Sequence, residues 1–279
     1  MMLRICLLGL ILISGMGIHA QVLPEGGGAR AAALGQAYTS VRSDIWGGMF
    51  YNPASLVGIE NPTVGLDAEQ RFGLNTGRLA VALPWGEDRV QAAGLSFSTF
   101  GFENYSSYRI SASYALQAFD AIQLGARVHY QGMNITGYTN GSAIIADFGF
   151  LARLNDELDL AGRIHNVNQA RLRTNVGEDV LASSLAIGLG YHPNDKVFVG
   201  LDIEKNELAD ASLRIGVEYE IHPAITARVG THTQPLGWSG GFRLHTGPLD
   251  LDFSGSFHER LGFTPQLSVS WAINGQSDE

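Results

Sequence analysis

Apolar and polar side chains alternate along most of this chain, from about residue 62 to residue 274. In the segment 122–130 one face carries Ile122, Leu124, Ala126, Val128 and Tyr130, and the other Gln123, Gly125, Arg127 and His129. Because successive side chains of a β-strand lie on opposite faces, each such segment predicts a strand with one apolar and one polar face. Soluble sandwiches also alternate, but they rarely place arginine, aspartate and glutamate in the middle of the inward face of nearly every strand. The pattern therefore predicts a transmembrane β-barrel with an apolar exterior.

The alternating segments predict an all-β, antiparallel, up-and-down barrel of about 14 strands. The predicted strands cover residues 62–72, 76–84, 88–99, 106–117, 121–132, 142–154, 157–166, 182–192, 196–205, 211–221, 224–233, 237–246, 249–258 and 265–274. Single-chain bacterial barrels have an even number of strands, as predicted here. Residues 62–274 are therefore expected to form one barrel domain.

The predicted connections between the strands alternate in length. Tight turns rich in Gly, Pro, Asn and Asp occur at 85–88, 119–120, 155–156, 192–195, 222–223 and 246–248. Most of the intervening connections are longer, at 99–106, 132–142, 166–182, 205–211 and 258–265. Outer-membrane barrels have short periplasmic turns and longer outer loops, so both barrel termini are expected in the periplasm, with residues 275–279 as a periplasmic tail.

Acidic and basic residues on the predicted inward face are nearly balanced. The acids are Asp67, Glu69, Asp159, Asp202, Glu204, Glu218, Glu220, Asp250 and Asp252. The bases are Arg71, Arg109, Arg127, Arg163, Arg214, Arg228 and Arg243. Opposite charges on neighbouring strands pair across the ladder, as Glu218 and Arg228 are expected to do. We therefore predict a cross-linked, hydrated lumen in which these carboxylates are structural and none is catalytic.

Residues 1–20 have the features of a secretory signal peptide. Arg4 precedes an apolar stretch from Ile5 to Ile13, and a cleavage site is predicted before Gln21. The segment predicts export to the outer membrane of a Gram-negative cell, where the barrel contacts lipid. Cleavage removes Cys6, the only cysteine, so neither disulfide nor thiol chemistry is expected. The net charge of −9 argues against a nucleic-acid partner.

Residues 21–61 break the alternation and are rich in glycine and alanine. Small residues allow a chain to approach other backbone closely, and Asn52-Pro53 is a turn or helix-start signal. Small inward residues such as Gly188 leave space inside the barrel. We therefore predict that residues 21–61 fold into the lumen as an N-terminal plug.

Two motifs in this segment resemble the N-terminal signature of the PorV/PorQ outer-membrane proteins. The first runs from Gly28 to Tyr38, and the second is Tyr51-Asn-Pro-Ala-Ser-Leu56. That family belongs to the wider FadL-like class of 14-stranded barrels, in which this segment forms a plug. The resemblance implies that Asn52, Pro53 and Ala54 help to shape the plug.

The resemblance also implies a function without enzymatic activity and without a cofactor. PorV/PorQ proteins work with the type IX secretion system, either delivering secreted proteins to a surface attachment complex or scaffolding that complex. The expected partners are other secretion-system outer-membrane proteins or secreted protein cargo. The alternative is a FadL-type transporter of hydrophobic small molecules. An outer-membrane enzyme is a third class, but no aligned nucleophile and base is recognisable in the sequence.

The connection 166–182 is the longest predicted outer loop. Loops of this length are usually functional or disordered. It offers an apolar contact with a charged rim, for which the candidate residues are Arg171, Leu172, Arg173, Val176 and Val180. A solvated loop without a partner is the alternative interpretation.

Four histidines are predicted to face the lumen near the outer ends of their strands: His129, His165, His232 and His258. Histidine is the commonest metal ligand and titrates near neutral pH. No two of the four share a metal-binding spacing along the chain, however. The sequence therefore favours a polar lumen rim and predicts no metal site.

Overall fold

The computed structural model describes residues 26–71, 73–86, 90–258 and 262–273. The predicted signal peptide and C-terminal tail lie outside these residues. Within these residues two short helices come first, α1 (Ala29–Ala33) and α2 (Ile45–Phe50), followed by a 3-10 turn (Pro53–Leu56). None of the described helices is long and apolar enough to cross a membrane.

The described part of the chain then forms fourteen long strands, with one small hairpin inserted between β7 and β10. The strands are β1 (Thr63–Arg71), β2 (Leu74–Trp85), β3 (Gln91–Phe102), β4 (Tyr105–Phe119), β5 (Ile122–Ile135), β6 (Thr139–Arg153), β7 (Leu158–His165), β8 (Arg171–Thr174), β9 (Gly177–Val180), β10 (Ser184–Asn194), β11 (Val197–Asn206), β12 (Ser212–His222), β13 (Ile225–Thr233), β14 (Leu236–Thr246), β15 (Leu249–His258) and β16 (Gly262–Ala272). The long strands correspond one to one with the predicted strands.

The barrel is closed, and every neighbouring pair of strands is antiparallel. Each long strand pairs with the next along the chain, β7 pairs with β10, and β1 pairs with β16. The predicted up-and-down barrel of 14 strands is thus confirmed. We call the end at which β1 begins and β16 ends the terminal end, and the opposite end the loop end.

The exterior of the barrel is apolar. On β10 the exposed side chains are Leu185 (48%), Ile187 (53%) and Leu189 (38%), whereas Gly188 points inward against Asp202. The same alternation continues around the barrel and leaves dozens of large apolar side chains exposed. Contiguous apolar surface on this scale is stable only when lipid covers it.

Most connections at the loop end are shorter than predicted. For example, β3 continues to Phe102 and β4 begins at Tyr105, and the rings of these two residues stack with their centroids 5.9 Å apart. Aromatic cross-strand pairs of this kind stabilise a ladder beyond the point where the polar alternation fades. The predicted loops 99–106 and 132–142 are therefore largely strand, and the difference in length between the two ends is smaller than expected.

The wall is interrupted at the loop end of β6 and β7. Their ladder extends from the pair Arg153–Asp159 only to the pair Phe148–Ile164. Beyond that pair, the Asn168 side chain forms the hydrogen bonds with β6 that a neighbouring strand would otherwise form. It accepts one from the Ala146 amide and donates one to the Ile144 carbonyl, both at 2.9 Å. The β8–β9 hairpin then pairs with β6. The predicted loop 166–182 is thus partly a fold-back strand pair.

Candidate functional site

Most side chains of residues 26–61 are buried against the inner face of the barrel wall, and we call this segment the plug. Asp44 caps helix α2 by accepting a hydrogen bond from the Gly47 amide at 2.7 Å, and Asn52 caps the 3-10 turn through the Ala54 amide at 3.1 Å. Helices this short are not stable alone. The plug therefore depends on its contacts with the barrel wall.

A row of inward glycines forms the first contact site between the barrel wall and the plug. Gly190, Gly200, Gly216 and Gly230 are directly paired neighbours across β10, β11, β12 and β13. Residues 34–40 of the plug run along this row, so closely that a Cβ atom on any of the four glycines would come within 3.0 Å of plug atoms. Only glycine leaves room for plug backbone against the wall here.

The second contact site on the wall binds the motif Asn52-Pro53-Ala54. Pro53 and Ala54 lie against Gly125 of β5. Asn52 lies against Gly149 of β6, which is the cross-strand partner of Gly125. The Asn52 amide group also donates to the carbonyls of Thr39 and Phe150, each at 2.9 Å. The structure thus places all three motif residues in the plug, in contact with the wall.

Ionic and polar contacts fix the plug further. Arg30 forms a bidentate salt bridge with Glu218 at 2.8 Å, and Arg42 forms one with the fully buried Asp159. The inward Asp202 accepts hydrogen bonds from two successive plug amides, at residues 38 and 39, both at 2.8 Å. Charges that the sequence predicts as lumen cross-links therefore also bind the plug.

The lumen forms the predicted network of ion pairs between strands. Glu218 and Arg228 are direct cross-strand partners and form a salt bridge, as predicted. Two members of the network are absent from the predicted set, Arg78 and Asp147, and both are buried. Each occupies an inward position in a predicted strand, so the alternation itself contains the signal that identifies them.

A cavity of about 160 Å³ lies between the plug and the wall toward the loop end. Polar and apolar groups share its lining, and the polar side chains include Tyr51, Arg71, Arg78, His232, Ser256 and Gln266. Burial raises the pKa of the Tyr51 phenol to about 12, so this hydroxyl stays protonated and can donate a hydrogen bond. The cavity can hold a small molecule that carries hydrogen-bonding groups.

The candidate partner-binding residues are divided between the surface and the interior. Val176 and Val180 are exposed (61% and 52%), and the side chains of Arg171 and Arg173 are largely exposed beside Glu178. Leu172, in contrast, is fully buried in a cluster with Met133, Ala143, Ile145 and Leu181. Leu172 therefore anchors the hairpin to the wall and cannot contact a partner.

The four predicted lumen histidines separate into two groups. His232 and His258 line the cavity. His129 and His165 meet at the buried Asp147, with His129 Nε2 at 2.6 Å and His165 Nδ1 at 2.7 Å from its carboxylate oxygens. The fold brings these two together across β5, β6 and β7, which a spacing along the chain cannot reveal.

No protein-family model and no curated protein sequence matches this chain. Solved structures do match. The Ralstonia pickettii toluene transporter TbuX has a TM-score of 0.68 and 14% identity over 90% of this chain and 99% of its own. The monoaromatic hydrocarbon channel CymD has a TM-score of 0.68 and 14% identity over 90% of this chain and 98% of its own. A Pseudomonas aeruginosa FadL homologue has a TM-score of 0.66 and 12% identity over 91% of this chain and 100% of its own. This chain therefore has the FadL-like barrel fold.

Proposed function

We propose that this protein is an outer-membrane transporter of small organic molecules, which the plug keeps closed at rest. The observation that carries the proposal is the combination of a closed barrel, a plug seated across its lumen and a cavity between the two. The apolar exterior and the predicted signal peptide support an outer-membrane location. The likeness to barrels named as a toluene transporter and a hydrocarbon channel supports transport over a scaffold role.

The lining of the cavity narrows the class of cargo. Pockets for purely apolar ligands are lined mostly by apolar side chains. Here the guanidinium groups of Arg71 and Arg78, the His232 ring and the Ser256 hydroxyl line the space. Arg71 and Arg78 are salt-bridged to Glu69, but the buried His232 Nδ1 has no hydrogen-bond partner among the described residues. A pure hydrocarbon would leave this nitrogen unpaired, at a cost of about 1–3 kcal/mol. The cargo is therefore a small organic molecule with at least one hydrogen-bonding group.

Filling the cavity should stop uptake. In Ser256→Trp an indole replaces a hydroxymethyl group on the inward face of β15, at the cavity wall. We expect cells that produce this variant to take up radiolabelled benzyl alcohol no faster than cells without the protein. The control is Phe253→Trp, because Phe253 lies on the exterior face of the same strand, is 36% exposed and does not line the cavity. Equal uptake by Ser256→Trp and Phe253→Trp cells would rule out this entry route.

A role in type IX secretion is the second candidate. It rests on the N-terminal motif and on the β8–β9 hairpin, which exposes Val176 and Val180 between charged side chains. Exposed apolar residues within a polar rim are typical of a protein contact. In this function the hairpin binds a secretion-system protein or a secreted cargo protein.

Substitutions on the hairpin separate the two candidates. Deleting the hairpin would uncover the apolar partners of Leu172, so we choose Val176→Asp combined with Val180→Asp, which alters only exposed positions. The control is Leu208→Asp, 50% exposed in the β11–β12 connection at the same end. Loss of surface delivery of secreted proteins in the double variant alone supports the partner role. Normal delivery together with normal uptake leaves transport as the function.

A further inference from the structure

Three buried side chains on adjacent strands converge at the loop end of β5, β6 and β7. They are His129, Asp147 and His165, whose side chains are 2%, 3% and 6% exposed. One nitrogen of each ring and one carboxylate oxygen of Asp147 all lie within 4.8 Å of one another. Bonds to zinc of about 2.0–2.2 Å place two ligand atoms on one ion up to about 4 Å apart, so small rotations suffice to complete a site.

We propose that His129 Nε2, His165 Nδ1 and the Asp147 carboxylate bind a divalent transition-metal ion. Two imidazoles and a single carboxylate suit Zn²⁺, Ni²⁺ or Cu²⁺. Mg²⁺ and Ca²⁺ prefer several oxygen ligands, which these residues do not supply. Water completes the coordination.

The groups around the three ligands already hold them in position. The Ser111 hydroxyl lies 2.8 Å from His129 Nδ1, the ring nitrogen that faces away from Asp147. A hydroxyl can donate or accept, so Ser111 can accept from Nδ1–H and leave the Nε2 lone pair for the metal. The Asn166 amide donates to Asp147 Oδ1 at 3.1 Å. Partners of this kind orient the ligands of protein metal sites.

The neighbouring Arg127 sets the affinity of the site. Its guanidinium donates to Asp147 Oδ2 at 2.7 and 3.1 Å and therefore compensates the carboxylate charge. A bound cation is repelled by this positive charge, and the metal depends mainly on the two imidazoles. Removing the charge while keeping a hydrogen-bond donor should therefore strengthen metal binding.

The ion would link the strands where the wall is weakest. Asp147 lies one residue beyond the last β6–β7 pair, Phe148–Ile164, and the connection to the hairpin begins at Asn166, which binds Asp147 directly. A metal bridge across β5, β6 and β7 replaces the missing ladder bonds at this point. The site is separate from the cavity, which His232 and His258 line.

Equilibrium dialysis of the purified full-length protein in detergent against Zn²⁺, without a polyhistidine tag, tests the site. We expect one ion per barrel, and a Co²⁺-loaded sample should show the visible absorption bands of low-coordinate cobalt. His129→Gln and His165→Gln should each weaken Zn²⁺ binding by at least about 100-fold, and Ser111→Ala by about tenfold. Arg127→Gln should strengthen it by at least about tenfold.

Two controls keep the test decisive. The combined variant His232→Gln with His258→Gln alters lumen histidines outside the cluster and should bind Zn²⁺ as the native protein does. Heat-modifiable migration on gels shows which variants are folded barrels, and only those are compared. Substoichiometric binding by the native protein, or undiminished binding by folded His129→Gln and His165→Gln, overturns the proposal.

Discussion

Replacing Gly216 with valine should displace the plug and make the barrel conduct ions. A Cβ atom at this position would lie 2.5 Å from the Leu34 carbonyl oxygen and 2.8 Å from Leu34 Cβ, and the side chain adds two further methyl groups. The wall should keep its ladder, because valine is favoured in β-strands. Overpacking costs about 1–3 kcal/mol even where side chains can adjust, and here backbone is in the way. The plug, which has little regular structure of its own, is the part that moves.

The matched control is Gly240→Val on β14. Gly240 pairs with the exposed Val229, so its Cβ would point to the exterior, and the nearest atom to it is the Arg228 carbonyl oxygen at 3.5 Å. In planar lipid bilayers we expect stepwise channel openings from Gly216→Val and none from Gly240→Val or the native protein. A folded Gly216→Val barrel that stays silent would show that the glycine row does not hold the plug.

The barrel was predictable because its main determinant is local. Strand periodicity depends only on neighbours along the chain, so the position of Ile187 outside and of Gly188 inside follows from the alternation. The pairing of Glu218 with the strand of Arg228 follows as well, since both residues face inward on adjacent antiparallel strands. The exact register is set by a bulge between Glu220 and His222, which the alternation does not predict. Strand ends were less predictable where aromatic pairs such as Phe102–Tyr105 extend the ladder.

The site was less predictable because it depends on contacts distant in sequence. Leu172 looks like part of an exposed apolar patch until the hairpin folds it against Met133 and Ile145. His129 and His165 share no metal-binding spacing, yet Asp147 on the intervening strand brings them together. The path of the plug along the glycine row depends on the register of four strands at once. Such arrangements follow from the closed barrel and not from any one segment.

The largest loss of stability is expected from Arg78→Met. The Arg78 side chain is 2% exposed and forms salt bridges with Asp67 at 2.6 Å and with Glu69 at 2.7 Å. Methionine fills similar space but leaves two buried carboxylates close together without this cation. Breaking a buried ion pair by removing one partner costs about 3–5 kcal/mol, because the remaining charge stays desolvated. In the variant Asp67 still accepts hydrogen bonds from Gln266 and Ser268, and Glu69 still forms its salt bridge with Arg71. These contacts limit the loss of stability but do not replace the guanidinium group between the two carboxylates.

Arg71→Met provides the comparison, because Arg71 binds the same Glu69 but its side chain is 33% exposed. Water compensates for the loss of such a group, and a partly exposed pair contributes about 0–1 kcal/mol. Urea unfolding in lipid vesicles should therefore show that the free energy of unfolding of Arg78→Met is several kcal/mol below that of the native protein. The free energy of unfolding of Arg71→Met should be close to the native value. Similar losses for the two variants would contradict burial as the cause. A double variant Arg78→Met with Glu69→Gln should recover part of the lost stability, since it removes one of the two uncompensated charges.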